Sequence, residues 1–361
     1  MARSSSIHRA LDFLAGVPVI FALSLLRTRR SLPLSPRRIG IICPTAIGDL
    51  ILATGLLVRI QERFPDAEIH VIHGKNNAGV VPMLPVRVIG QVFDFRNIPR
   101  VARCLKAMDL DIVVDVTPWP RTTAIAAWFS GAVSIGYRTR WQFRHFAFDF
   151  VVPHLQDRHE IENLNAIADL FLKMSRYELA LVAPKSSLDQ TLDWHTMVVF
   201  HTCPGGSRSV EKRWPNQDWA ELADRLVDRG YCVCFTGVAS DRNVVEDIVQ
   251  KTTCDKEKLR SLCGNMSLKD MYWALRCCRV FVTVDTGVMH MASVMEVPAV
   301  ALIGPTDVRR WGPRSRNFIV IQSKHPRAGY ISLGFERSRG AEEIMRRIGV
   351  EEVFNAVVSK L

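Results

Sequence analysis

The feature that most constrains the fold is an alternation of short apolar runs with helix-patterned segments that passes along the first half of the chain, stops, and begins again. Ile39-Gly40-Ile41-Ile42-Cys43 is a short apolar strand, and residues 47–64 follow with Leu50, Ala53, Leu57 and Ile60 at helical spacing. Residues 68–72, 111–116 and 134–136 read as further strands, and residues 121–129 and 160–174 as helices. Residues 184–193 are polar and irregular, the composition of a linker. The pattern then restarts, with strands at 197–200, 231–236, 279–284 and 299–303 and helices at 216–229, 241–250, 267–275 and 286–295. Residues 341–361 read as a helical pair or one broken helix. Such alternation implies right-handed parallel crossovers. It predicts an α/β chain with two doubly wound domains facing a central cleft, where the carboxyl ends of the strands would hold ligand. The expected divisions are an extension at 1–37, a first domain at 38–183, a second at 184–325 and a helical segment at 326–361.

Length and composition agree with this reading. A chain of 361 residues is too long for one ordinary core. With 48% hydrophobic and 23% charged residues it has the profile of a folded globular protein and excludes disordered, collagenous and coiled-coil classes. The formal charge of +11 attracts polyanions: nucleic acid, an anionic membrane face or phosphorylated substrates. Lys and Arg are spread along the chain without a nucleic-acid-binding signature, so no nucleic-acid partner is expected. The nine cysteines include no Cys-x-x-Cys pair, which points to buried thiols in a reducing cytoplasm and to no zinc site.

Residues 13–26 are uncharged and mostly apolar, with arginines on both sides and Pro18 in the middle. The stretch is shorter than the roughly 20 apolar residues a spanning helix needs. Arg27-Thr28-Arg29-Arg30 stands where a signal peptide would place small cleavage-site residues. Two readings stay open: a helix lying in the interface of an anionic membrane, and a helix packed on the protein itself.

Three segments carry chemistry. In the first, an apolar strand runs through Val284 into Asp285-Thr286-Gly287 and a helix bearing His290. Unpaired backbone N–H groups at a helix start, beside the positive end of its dipole, form an anion site, and Gly287 lets a phosphate approach. Asp285 has the chemistry to accept from sugar hydroxyls. Helix capping by Asp285 or Thr286 is the competing explanation. The second segment is Pro204-Gly205-Gly206-Ser207-Arg208 with Glu211-Lys212-Arg213-Trp214-Pro215. Ser207, Arg208 and Lys212 bring donors and positive charge suited to a leaving diphosphate, although a solvated basic loop plugged by Trp214 reads the same way. The third is Pro44-Thr45-Ala46-Ile47-Gly48-Asp49, where Asp49 is either a general base or a helix cap. Asp241 follows Phe235-Thr236-Gly237 and is read equally as a ribose contact or a cap, and Gly304-Pro305-Thr306-Asp307 lies at another strand end.

Taken in order, Ala46-Ile47-Gly48-Asp49, Gly205-Gly206 with Lys212-Arg213-Trp214-Pro215, Asp285-Thr286-Gly287-Val288-Met289-His290 and Gly304-Pro305-Thr306-Asp307 resemble glycosyltransferase family 9, the bacterial heptosyltransferases of lipopolysaccharide core assembly. The likeness spans about residues 38–322 and leaves out residues 1–34. It implies the GT-B fold, two Rossmann-like doubly wound domains. It also implies metal-independent, inverting transfer of a sugar, usually from ADP-heptose, to a lipid-linked oligosaccharide. By the same resemblance Asp49 is the general base, Lys212 and the Asp285-Thr286-Gly287 turn hold the donor diphosphate and sugar, and His290 lies close behind. In the family short hydroxyl residues often precede that lysine, whereas here Ser207 is followed by Arg208.

The expected enzyme takes a nucleotide-sugar as substrate, needs no cofactor or metal, and works at the inner face of the cytoplasmic membrane on a glycolipid or lipopolysaccharide-core acceptor. The alternatives are a nucleotide-sugar epimerase or hydrolase of the same fold, and a membrane-associated binding protein without catalysis.

Overall fold

The computed structural model describes residues 6–28, 30–174, 177–185, 193–206 and 208–361. The chain divides into two compact units, Met1–Val182 and Ala183–Leu361. Most of the segment read as a linker, residues 186–192, lies outside the described residues.

The first unit holds a six-stranded sheet of β1 (Arg38–Cys43), β2 (Glu68–His73), β3 (Val88–Val92), β4 (Ile112–Asp115), β5 (Val133–Thr139) and β6 (Phe150–His154). All neighbours are parallel, in the order β3-β2-β1-β4-β5-β6. Its helices are α1 (Ser6–Leu25), α2 (Ile47–Leu52), α3 (Thr54–Arg63), α4 (Ile98–Ala107), α5 (Arg121–Phe129) and α6 (Glu160–Ala168). The second unit holds β7 (Met197–His201), β8 (Cys232–Phe235), β9 (Leu259–Ser261), β10 (Val280–Val284), β11 (Ala299–Ile303) and β12 (Phe318–Gln322). These too are parallel, in the order β12-β11-β10-β7-β8-β9. Its helices are α7 (Asn216–Val227), α8 (Arg242–Lys251), α9 (Leu268–Cys277), α10 (Gly287–Val294), α11 (Val308–Trp311) and α12 (Val350–Val358). Counted within its own unit, each sheet has the order 3-2-1-4-5-6 of a doubly wound dinucleotide-type fold.

The inner strands are continuous apolar runs because helices cover both faces: β4, β10 and β11 are buried throughout. In each sheet the strand order reverses beside the first strand, between β1 and β4 and between β7 and β10. The turns at the carboxyl ends of these strands border the crevice where such sheets bind ligand.

Four strands are absent from the sequence reading: β3, β6, β9 and β12. They are the four sheet edges. An edge strand is covered less, so β3 is largely exposed and its pattern of Val88, Ile89, Gly90, Gln91 and Val92 carries no strong signal. β12 is apolar, but only the four-residue α11 and an arginine-rich stretch precede it, so no helix announces it.

The single helix expected over 47–64 is two helices, broken at Ala53. The Tyr177 hydroxyl stands in the gap, donating to Leu52 O at 3.0 Å and accepting from Leu56 N at 2.9 Å. It replaces the backbone bond that would join those two residues, a recognised cause of a helix break. Gly55 makes room, since a Cβ there would stand 2.7 Å from the Tyr177 ring. The helix expected over 160–174 ends earlier, at Ala168, and continues as irregular turns. The C-terminal segment is two short 3-10 turns, Ala341–Glu343 and Met345–Arg347, followed by α12.

Helix α1 packs on α5 through Ile20 and Leu23, as the second reading of the N-terminal stretch had it, while other apolar residues of α1 stay exposed. No helix among the described residues is long and apolar enough to cross a membrane.

Candidate functional site: a carboxylate–lysine cluster at the strand reversal of the second unit

β10 ends at Val284 and delivers Asp285 to the carboxyl edge of the sheet. Thr286 follows in extended conformation and is the N-cap of α10: its Oγ1 accepts from Met289 N at 3.2 Å. The cap therefore exists, as one explanation of the sequence had it. It fixes the start of α10, whose remaining first-turn N–H groups and dipole face the turn.

Three segments meet at the Asp285 carboxylate. Lys212 Nζ lies 2.6 Å from Oδ2, and Thr306 Oγ1 donates to the same oxygen at 2.6 Å. Lys212 comes from the loop after β7, Asp285 from the turn after β10 and Thr306 from the loop after β11, three strand ends around the reversal point. The Lys212 and Asp285 side chains are only 14% and 12% exposed. Burial alone would raise the Asp285 pKa. The Lys212 ammonium, the Thr306 hydroxyl and the nearby His290 outweigh it, and the carboxyl sits below its usual value. His290 is buried on α10. Sequence reasoning placed Lys212, Asp285, Thr286, Gly287 and His290 at the site, and the fold brings them to one strand edge. It left Thr306 as part of a neighbouring loop. The Gly304-Pro305-Thr306-Asp307 segment was the available signal.

The loop before Lys212 is shaped by glycine and held by an acid. Gly206 has φ of +80°, a conformation that favours glycine, and a Cβ at Gly205 or Gly206 would meet nothing within 4 Å. Arg208 itself lies in the left-handed region, with φ of +61°. Its Nη1 donates to Glu211 Oε1 at 2.9 Å, and the Tyr330 hydroxyl donates to Glu211 Oε2. Arg208, assigned in sequence to phosphate, is thus held back by Glu211. Burial and the Glu211 carboxylate push the Tyr330 phenol well up. Glu211 and Tyr330 escaped the sequence reading because 119 residues separate them. Ser207 lies outside the described residues. Trp214 is buried, donates to Ile348 O at 3.0 Å, and packs edge-on against Trp219, fixing the start of α7.

Asp241 turns into its own loop. Its Oδ2 accepts from Val238 N at 2.9 Å, and that oxygen lies 2.8 Å from where a Cβ on Gly237 would stand. Asp241 stands at the N-cap position of α8, but its side chain makes no cap hydrogen bond to that helix. Among the described residues no three His, Cys, Asp or Glu gather as a metal-ligand set.

In the first unit, Asp49 sits half-buried in the first turn of α2, and its Oδ2 accepts from Ala46 N at 2.9 Å. It caps its own helix at the carboxyl end of β1. The first unit also ends its fourth strand on a carboxylate. Asp115 pairs with Arg144, both side chains wholly buried, and Thr117 donates to Asp115 from N at 3.0 Å and from its hydroxyl at 2.5 Å.

Comparison with known proteins agrees with this architecture. The profile of glycosyltransferase family 9 (heptosyltransferase) matches residues 98–330. Lipopolysaccharide heptosyltransferase 2 of Escherichia coli K12 is 24% identical over 315 residues, covering 79% of this chain and 88% of that protein. The crystal structure of the glycosyl transferase family 9 protein from Veillonella parvula aligns with a TM-score of 0.76 at 21% identity, covering 92% of this chain and 99% of that one. The Escherichia coli heptosyltransferase WaaC with ADP-2-deoxy-2-fluoro heptose aligns at 0.69 and 17% identity, covering 90% of this chain and 100% of that one. At these identities the structural matches speak for the fold, the GT-B arrangement of two Rossmann-like halves.

Proposed function

The chain belongs to glycosyltransferase family 9, whose profile covers residues 98–330, and from that premise we propose that it transfers heptose from ADP-heptose to the core region of a lipopolysaccharide acceptor, with inversion and without a metal. The family makes it a glycosyltransferase. The relatives, lipopolysaccharide heptosyltransferases and a WaaC complex with an ADP-heptose analogue, support the choice of sugar, nucleotide and acceptor.

The observation that carries the reading is the Lys212–Asp285–Thr306 cluster beside the start of α10. A departing nucleoside diphosphate needs positive charge in place before it leaves. Lys212, Arg208 once released from Glu211, and the α10 dipole supply that charge from the protein, which is the physical case for a metal-independent reaction. Asp285 then has two duties. It holds Lys212 in position, and it accepts from hydroxyls of the donor sugar. Thr286, Gly287 and His290 form the wall behind it. We assign Asp241 to a ribose contact only through its second carboxylate oxygen.

Transfer passes through an oxocarbenium-like state, and inversion requires attack from the face opposite the leaving group. The base must abstract the acceptor hydroxyl proton on that face. We assign this to Asp49, placed at a strand end of the other unit, with its helix cap as the means of orienting it. The acceptor is lipid-linked, so the enzyme works at the cytoplasmic face of the inner membrane.

A thermal-shift series with ADP-, GDP-, UDP- and dTDP-sugars tests the donor. Selective stabilisation by ADP-heptose is expected, and a selective response to another nucleotide would replace the donor assignment. Incubation with donor alone tests the reaction type. Epimerised or free sugar formed without acceptor would turn the assignment towards the epimerase or hydrolase reading.

A further inference from the structure

Helix α1 is inside out. Its one acidic residue, Asp12, is buried: the carboxylate accepts from the backbone N–H groups of Arg121 and Thr122 at 3.0 and 3.1 Å and pairs with the Arg121 guanidinium at 2.9 Å. Gly16, Ile20 and Leu23 continue that inward stripe, and a Cβ at Gly16 would stand 2.8 Å from Arg121 Cβ. The opposite stripe, at the spacing of a single helix face, is Leu11, Leu14, Ala15, Pro18, Ala22 and Leu25. All six are exposed and uncharged, Leu14 by 70% and Leu25 by 87%. A helix on a water-facing surface puts its charge outward and its hydrocarbon inward. Here the arrangement is reversed.

The reversal is fixed in place. Asp12 caps the N-terminus of α5 from outside that helix, where a carboxylate is stabilised by the free N–H groups and the dipole. The docking of α1 is therefore set by a buried, directional contact, and α1 cannot roll to bury its leucines without breaking it.

The surroundings identify what covers the exposed face. The segment 140–146 runs beside α1: Phe21 lies 4.9 Å from the Phe146 ring and 6.3 Å from Phe143, and Gln142 accepts from Arg121 at 3.0 Å. It contributes Trp141, 68% exposed, with the Arg140 guanidinium 5.5 Å from its ring. Arg30, Arg138 and Arg140 are exposed, and neither α1 nor the 140–146 segment presents an exposed carboxylate. Exposed leucines, an exposed tryptophan and exposed arginines, of which Arg30 also reaches Asp149, are complementary to a bilayer with anionic headgroups. A helix of 20 residues broken in pattern by Pro18 lies along such a surface and does not cross it.

We propose that the outward face of α1, together with Trp141, seats in the interfacial layer of an anionic bilayer. The inference deepens the reading of a lipid-linked acceptor and rests on it for its purpose, while its geometry stands apart from the donor site.

Flotation of the full chain with phosphatidylethanolamine–phosphatidylglycerol vesicles, in the absence of donor and acceptor, tests it. Wild type should float with these vesicles and bind phosphatidylcholine vesicles several-fold less. The double substitution Leu14→Glu with Leu25→Glu should weaken binding on the order of a hundredfold, about tenfold per leucine. Its melting temperature, and its transfer to a water-soluble truncated acceptor, should match wild type because both side chains are exposed. Absence of wild-type binding, or equal binding by the double variant, overturns the proposal. So does a concentration-dependent dimer, dissolved by the same substitutions, that never binds vesicles. A failed response to ADP-heptose with intact vesicle binding would sink the donor assignment and leave this surface standing.

Discussion

Lys212 and Asp285 are joined across 73 residues of chain, the ammonium nitrogen 2.6 Å from the carboxylate oxygen, at a point where both side chains are largely removed from water. A contact of this kind is strongest as a device for positioning. Neither partner is replaceable alone, because the other would remain buried and uncompensated. Lys212→Met is therefore expected to lower stability by about 3 kcal/mol and to lower kcat/KM by roughly a hundredfold or more. Urea denaturation and steady-state transfer assays measure the two effects. Unchanged kcat/KM would remove Lys212 from the donor diphosphate.

The same pair has a pH signature. Asp285 titrates below the usual 3.8 of a free aspartate, so its contribution to stability is fully present above about pH 4. It is lost as pH falls through the lowered folded-state value. The stability gap between wild type and Asp285→Asn should be constant near neutrality and narrow steadily below about pH 4. Denaturation midpoints across that range give the answer. A gap that widens in acid contradicts the assigned charge state.

Thr306→Val keeps the shape of the side chain and deletes only the hydroxyl that reaches Asp285. A hydrogen bond to a charged group contributes about 1.5–3 kcal/mol. Donor affinity, measured by calorimetry, should fall roughly tenfold if the oriented carboxylate reads the sugar. Affinity equal to wild type would leave Thr306 a purely structural partner.

Asp49→Asn preserves the size of the side chain and removes its basicity. Turnover should drop by about two to four orders of magnitude with donor affinity unchanged. Rescue of rate at high pH would point to another base.

Tyr177→Phe is expected to destabilise the first unit by about 1–3 kcal/mol, because Leu52 O and Leu56 N lose the hydroxyl that serves both. The α2 helix carrying Asp49 ends at that junction, so kcat should fall modestly while donor affinity holds. Equal stability of Tyr177→Phe and wild type would mean that the helix break is set by the sequence of residues 52–56 alone.

The inner framework of both sheets was legible because its strands are buried on both faces and are followed by patterned helices, as with Ile39 to Cys43 before α2 or Val280 before α10. The four edge strands were not: β3 is largely exposed and carries no continuous apolar run, and β12, though apolar, has no patterned helix to announce it. The turn at Asp285-Thr286-Gly287 was legible as a strand end facing a helix start, and the segment proved to hold both a cap, at Thr286, and a charged cluster, at Asp285. What stayed hidden depends on contacts between residues far apart in sequence. Tyr177 breaks a helix 121 residues earlier, and Tyr330 reaches Glu211. Asp12 stands just before the apolar stretch and carries no signal of its own in the sequence, and only its bond to Arg121 shows which way the helix faces.

The shared strand order makes the two halves of the chain comparable position by position. Each fourth strand runs out into an aspartate that meets a cation from another segment: Asp115 with Arg144, and Asp285 with Lys212. The first pair is sealed from water, while the second keeps part of its surface open. The same strand-end position thus carries an aspartate–cation pair in both halves, wholly buried in one and slightly exposed in the other. The first pair serves as an internal control for the proposed donor site, and the same substitution made at each aspartate in turn separates what such a pair does for the fold from what it does for a ligand.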